Sequence, residues 1–174
     1  MQRTYLAPRR VETARLELRP FSLDDHADYA RICADPEVMR FVGAGQPNPP
    51  EITWRSMAGM LGHWELLGYG IWALALRGGP VIGHCGYIDV PGWPGFELAY
   101  LLGREHWGQG YASEAAGTAL RIAYEDLGKQ RVISLIRPAN APSIKLAEKL
   151  GAAREGSVEL MGSSAELYVH RRPA

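Results

Sequence analysis

Leu98-Ala99-Tyr100-Leu101-Leu102-Gly103-Arg104-Glu105-His106-Trp107-Gly108-Gln109-Gly110-Tyr111-Ala112 runs from an apolar strand through a short turn into a glycine-headed helix. The helix follows from spacing. Ala112, Ala116, Ala119, Leu120, Ala123 and Leu127 recur every three or four residues and form one apolar face, and Gly128 supplies a stop. A helix start leaves backbone N–H groups without partners and carries partial positive charge. Glycine at 108 and 110 removes side chains that would hold an anion away from those amides. Either the segment receives a pyrophosphate or its glycines only shape a tight turn. It is no common nucleotide loop. Gly-x-x-x-x-Gly-Lys-Ser/Thr is absent, and the run from Gly108 to Ser113 lacks the third glycine of a dinucleotide fingerprint.

On the N-terminal side, residues 1–12 read as a loose arm and Arg15-Leu16-Glu17-Leu18-Arg19 alternates as a half-buried strand. Ser22 resembles a helix N-cap, with Asp24 and Asp25 in the first turn. That helix runs to about Ala34, where Asp35-Pro36 stops it. The stretch from Gly43 to Pro50 is a Gly/Pro-rich loop, and a second helix spans Ile52 to Leu67. Tyr69 to Leu76 and Val81 to Ile88 form a hairpin across Arg77-Gly78-Gly79-Pro80. Pro91-Gly92-Trp93-Pro94-Gly95 is a turn before the strand Phe96 to Leu102. After the glycine-headed helix come a strand from Arg131 to Arg137, a helix from Ser143 to Leu150 and a last strand from Glu166 to Arg171. Strand-helix-strand-helix-strand implies parallel neighbours in this half. The whole reads as one α/β domain over residues 1–174, its core about 13–172, built on a mixed sheet flanked by helices.

Composition limits the function. Lys plus Arg and Asp plus Glu are 19 each in 174 residues, so no net field favours nucleic acid or an anionic membrane. Cys33 and Cys85 make neither a metal-ligand spacing nor a disulfide framework. No signal-like or membrane-spanning run is visible, so a cytoplasmic protein with free thiols is expected.

A second motif follows some thirty residues on: Asn140-Ala141-Pro142-Ser143-Ile144-Lys145-Leu146-Ala147-Glu148-Lys149-Leu150-Gly151. Ile144, Ala147 and Leu150 share a helical face. Read alone, Asn140 is an N-cap with Pro142 in the first turn.

Together the two motifs resemble the GNAT acetyltransferases, and more narrowly their RimJ/RimL-like branch. Trp107-Gly108-Gln109-Gly110-Tyr111-Ala112-Ser113-Glu114-Ala115 is similar to that family's acetyl-CoA loop, and Asn140-x-x-Ser143 with Lys149-Leu150-Gly151 to its second cofactor motif. Arg15–Pro20, Asp35–Met39 and Glu97–Tyr100 match further landmarks in order. The resemblance implies a mixed, mostly antiparallel sheet in which two parallel strands, 96–102 and 131–137, splay apart at a bulge in the first. The pantetheine arm of acetyl-CoA then pairs with backbone near Leu101 and Leu102. The loop Trp107, Gly108, Gln109, Gly110, Tyr111 and Ala112 holds the pyrophosphate, and Asn140 and Ser143 touch the cofactor arm. The implied reaction is direct attack of a primary amine, a protein N-terminus or a small molecule, on the thioester in a ternary complex, with no metal.

An α-amine, with pKa about 8, is partly neutral near pH 7, whereas a lysine amine near about 10.4 needs more help. Glu97 is the candidate base, with His84 or water as alternatives, and Ser143 the candidate acid for the departing thiolate. Alternatively Glu97 is a solvated residue after Gly95. His106 is expected on the loop surface, and Cys85 lacks a sequence neighbour that would activate it as a nucleophile. The other class of reading is a non-catalytic acyl-CoA sensor. The expected partners are acetyl-CoA and an amine acceptor, with no nucleic acid or membrane, the protein being a monomer or homodimer.

Overall fold

In the computed structural model, which describes residues 5–160 and 162–172, one eight-stranded sheet organises the chain. Its strands are β1 (Val11–Glu12), β2 (Leu16–Arg19), β3 (Ile71–Leu76), β4 (Val81–Ile88), β5 (Glu97–Leu102), β6 (Arg131–Ile136), β7 (Ala152–Leu160) and β8 (Ser163–Arg171). They lie in the order β1-β2-β3-β4-β5-β6-β8-β7, and every neighbouring pair is antiparallel except β5 and β6. Helices α1 (His26–Cys33), α2 (Pro36–Met39) and α3 (Pro50–Leu67) fall between β2 and β3 in the chain. Helix α4 (Tyr111–Glu125) joins β5 to β6, and α5 (Ala141–Lys149) joins β6 to β7. The expected mixed, mostly antiparallel sheet with flanking helices is what forms.

Both faces of the central strands are covered. Ile71, Ala73, Ala75, Val81 and Leu101 pack with Tyr29, Ile32 and Cys33 of α1, with Val38 and Met39 of α2, and with Met57 of α3. Trp72, Leu74, Ile82, Leu98 and Leu102 face the other way, against Ala115, Ala116, Ala119, Ile122 and Ala123 of α4. Burial on two sides explains why β3 and β4 read as near-continuous apolar runs rather than alternations. Small residues along α4 let it sit close to β4 and β5, and Tyr87 spans the layer to donate to Ala119 O (2.5 Å). Leu98 is 1% exposed here, so Leu98→Ala should remove about 2–5 kcal/mol.

The sequence reading needs three corrections. The N-terminal arm is not loose from residue 5 on. Leu6 and Ala7 amides donate to Gly68 O, Trp72 Nε1 donates to Pro8 O, and Val11 and Glu12 pair with Leu18 and Glu17. Asp35-Pro36 both ends α1 and starts α2, because Asp35 accepts from the Glu37 amide and proline suits a first helical turn. Finally, β7 was not read as a strand. It intervenes before β8, so β8 returns antiparallel beside β6, and β5–β6 is the only parallel pair among the described residues.

Candidate active site

That parallel pair is joined at one register, Glu97 opposite Ile133, where the Ile133 amide donates to Phe96 O (2.9 Å). Immediately beyond it, side chains replace the ladder. Ser134 Oγ donates to Leu98 O (3.1 Å), and the Leu135 amide donates to Glu97 Oε1 (3.2 Å). Two backbone groups that could continue the pairing are thus satisfied without it, and the strands part toward their C-terminal ends. Ser134 Oγ also lies 3.1 Å from His170 Nε2 on β8, which fixes the hydroxyl in place. The splay therefore exists, but the expected bulge does not cause it. The β4–β5 register runs without a shift from Ile88 opposite Glu97 to Gly83 opposite Leu102.

Glu97 is 6% exposed, so it is no solvated residue after a turn. Its second oxygen accepts from Trp93 Nε1 at 2.6 Å, the indole reaching in from the β4–β5 loop. Burial pushes the carboxyl up to about 7, while the Trp93 and Leu135 N–H donors pull the other way. A carboxylate that exchanges its proton near neutrality, at the point where two strands open, is placed for acid–base work.

Across the gap stands the start of α5. Asn140 Oδ1 accepts from the Ser143 amide at 3.3 Å, so Asn140 is the N-cap. Tyr100 reaches over from β5 and donates to Ser143 O (3.2 Å). Burial raises the Tyr100 phenol to about 12, so it remains a hydrogen-bond donor at neutral pH. Ser143 itself is half-buried beside it.

The glycine-headed loop lies at the C-terminal end of β5. Leu101 and Leu102 are buried strand residues, and Leu102 O accepts from Trp107 Nε1 (2.9 Å), which anchors the loop to its own strand. Gly108 (φ +73°) and Gly110 (φ +82°) both adopt left-handed backbone, and Gly110 is the N-cap of α4. Among the described residues no side chain caps that helix. Its first intrahelical bond runs from Glu114 N to Gly110 O, leaving the amides of Tyr111, Ala112 and Ser113 at an open N-terminus. Arg15 staples the outside: it donates to Gln109 O (2.8 Å), pairs with Glu114 (2.7 Å) and lies over the Tyr111 ring at 4.5 Å. Glu114 also receives Thr13 Oγ1 (2.6 Å).

The remaining candidates are engaged elsewhere. His84 is buried, bonded through Nδ1 to Tyr29 Oη (2.7 Å), and burial lowers its pKa to about 4. Burial raises the Cys85 thiol to about 12, the opposite of an activated nucleophile. His106 is half-buried against Tyr111 rather than fully on the surface.

Sequence reading missed Trp93, Tyr100, Ser134 and Arg15 as parts of this site. Trp93 carried only a turn signal and Arg15 only a strand signal. The contacts that give them roles span 4 residues for Trp93 and Glu97, but 94 for Arg15 and Gln109.

Comparison with known proteins points to one family. Residues 15–153 match the family model described as an acetyltransferase (GNAT) domain. The uncharacterized N-acetyltransferase p20 of Bacillus licheniformis is 33% identical over 147 residues, 83% of this chain and 82% of its own. The crystal structure of an acetyltransferase from Agrobacterium tumefaciens superposes with a TM-score of 0.84 at 29% identity, covering 99% of both chains. RimJ of Mycobacterium smegmatis, solved in complex with a CoA-disulfide, shares the fold with a TM-score of 0.73. Its identity is 19%, and the match covers 90% of this chain and 81% of that one.

Proposed function

The chain belongs to the GNAT acetyltransferase family and is an acetyl-CoA-dependent acetyltransferase, and from that premise we propose that it acetylates a primary amine by direct attack in a ternary complex. The observation that carries this reading is the β5–β6 gap. A near-neutral carboxyl, Glu97, marks its closed end, and an uncapped helix N-terminus lies where β5 ends.

In this reading the amides of Gln109, Gly110, Tyr111 and Ala112 hold the pyrophosphate of acetyl-CoA, with Trp107 and Gly108 shaping the loop. The pantetheine arm lies along β5 near Leu101 and Leu102, and Asn140 and Ser143 meet it at α5. Glu97 takes the proton of the attacking ammonium, directly or through water, so that a neutral nitrogen adds to the thioester carbonyl. The C–S bond of the tetrahedral intermediate then breaks. The Ser143 hydroxyl, or the neighbouring Tyr100 phenol, donates to the departing sulfur.

The acceptor is a small amine or a protein N-terminus. We take the chain to act as one acetyltransferase domain in the cytoplasm, in keeping with buried free Cys33 and Cys85. No described helix is long and apolar enough to cross a membrane.

The test is the pH dependence of acetyl transfer by Glu97→Gln. Loss of the base should lower kcat about a hundredfold at pH 7, with partial recovery where the amine is already neutral. Wild-type rates from about pH 6 to about pH 9, a span bracketing the α-amine pKa, would remove Glu97 from the mechanism.

A further inference from the structure

One cation near the gap is not explained by the fold. Arg137, half-buried, follows directly on β6. Strand residues alternate, so it shares the face of Ile133 and Leu135, and it lies roughly 7 Å beyond the Leu135 amide that Glu97 binds. Arg137 forms no ion pair among the described residues. It donates instead to two backbone carbonyls, Gly43 O (3.1 Å) and Ser164 O (3.3 Å). Gly43 belongs to the loop between α2 and α3, and Ser164 to the start of β8. Two separate segments, one from the α2–α3 loop and one from β8 on the far side of β6, are therefore tied to the end of β6 by one guanidinium, which carries more N–H donors than these two bonds use.

An unpaired guanidinium on the face that carries a proton-accepting carboxyl discriminates among amines. It repels a second ammonium group and attracts an oxygen. We propose that Arg137 recognises the acceptor, binding a carboxylate or carbonyl oxygen carried close to the amine that Glu97 deprotonates. The acceptors are then α-amino acids or peptide N-termini, not diamines. This deepens the amine-transfer reading and rests on it.

The test is a set of matched acceptors: phenylalanine, phenylalaninamide and 2-phenylethylamine; alanine, alaninamide and ethylamine; and 1,4-diaminobutane. Expressed per neutral amine, because an alkyl amine near about 10.4 is neutral far less often than an α-amine near about 8, the oxygen-bearing members should exceed their plain amines in kcat/KM by about tenfold or more, with the diamine lowest. Preference for the acid over its amide assigns a free carboxylate, and the reverse a peptide carbonyl. Arg137→Gln should bring each ratio close to one while the KM for acetyl-CoA holds, and Arg137→Lys should recover part of it. Melting temperatures keep the comparison to folded variants.

Equal loss on every acceptor in Arg137→Gln would make Arg137 a loop clamp only. Plain amines as good as oxygen-bearing ones with the wild type would overturn the assignment and leave amine transfer standing. Transfer to none of the acceptors by protein that binds coenzyme A would overturn the amine-transfer reading itself.

Discussion

Glu97→Gln also has a consequence for stability that needs no substrate. Burial raises the carboxyl from the ordinary 4.5 to about 7, a difference worth about 3 kcal/mol between its protonation states. The folded protein holds this proton more tightly than the unfolded chain does. The stabilisation is thus fully present below pH 4.5 and is lost as pH rises through about 7. Glutamine has no proton to lose, so the variant escapes that decline. It pays elsewhere, because one amide oxygen cannot serve both the Trp93 and Leu135 donors that two carboxylate oxygens now accept. An unmatched buried donor costs about 1–3 kcal/mol at every pH. Urea unfolding of both proteins from pH 4.5 to 8.5, values set on either side of the shift, should show the variant weaker at acid pH. The gap should close or invert by about 3 kcal/mol on reaching the alkaline end. A stability difference constant across that range would refute the buried, near-neutral carboxyl.

Coenzyme A should raise the melting temperature of the wild type by binding only its folded form, and Gly110→Val, forced into φ +82°, should lose that rise. An unchanged affinity in folded Gly110→Val would refute the pyrophosphate site. Asn140→Ala removes a cap worth about 1 kcal/mol; a fall in acetyl-CoA affinity larger than the fall in stability would assign Asn140 to the cofactor as well. Ser143→Ala and Tyr100→Phe separate the two donors at α5. The one that matters should lower kcat modestly without changing the acetyl-CoA KM, since a thiol pKa near about 8.5 makes thiolate a tolerable leaving group unaided.

Local patterns carried much of the fold. The α4 face was visible because its alanines recur at helical spacing, and β5 because an apolar run ends at the glycine loop. β7 was hidden for a physical reason. It is one of the sheet's two outer strands, its described side chains are mostly exposed, and Ala152-Ala153-Arg154-Glu155-Gly156-Ser157 shows no alternation. The site divides the same way. Glycines at 108 and 110 announced open amides because the backbone alone does that chemistry. Glu97 could be placed on its strand, but its burial, and hence its pKa, depends on Trp93 and on the β6 backbone. Arg137 and Arg15 act through carbonyls of distant segments, which no local pattern encodes.

The central claim is transfer, and it is tested by mixing the protein with acetyl-CoA, with and without an amino acid or peptide acceptor, while following thiol release, the acceptor mass and the protein mass. Direct attack predicts one free thiol for each acetylated amine, negligible release without acceptor and no acetyl group left on the protein. Thiol release that precedes the acceptor and leaves an acetyl-enzyme, or tight binding of acetyl-CoA with no transfer to any amine, would contradict it.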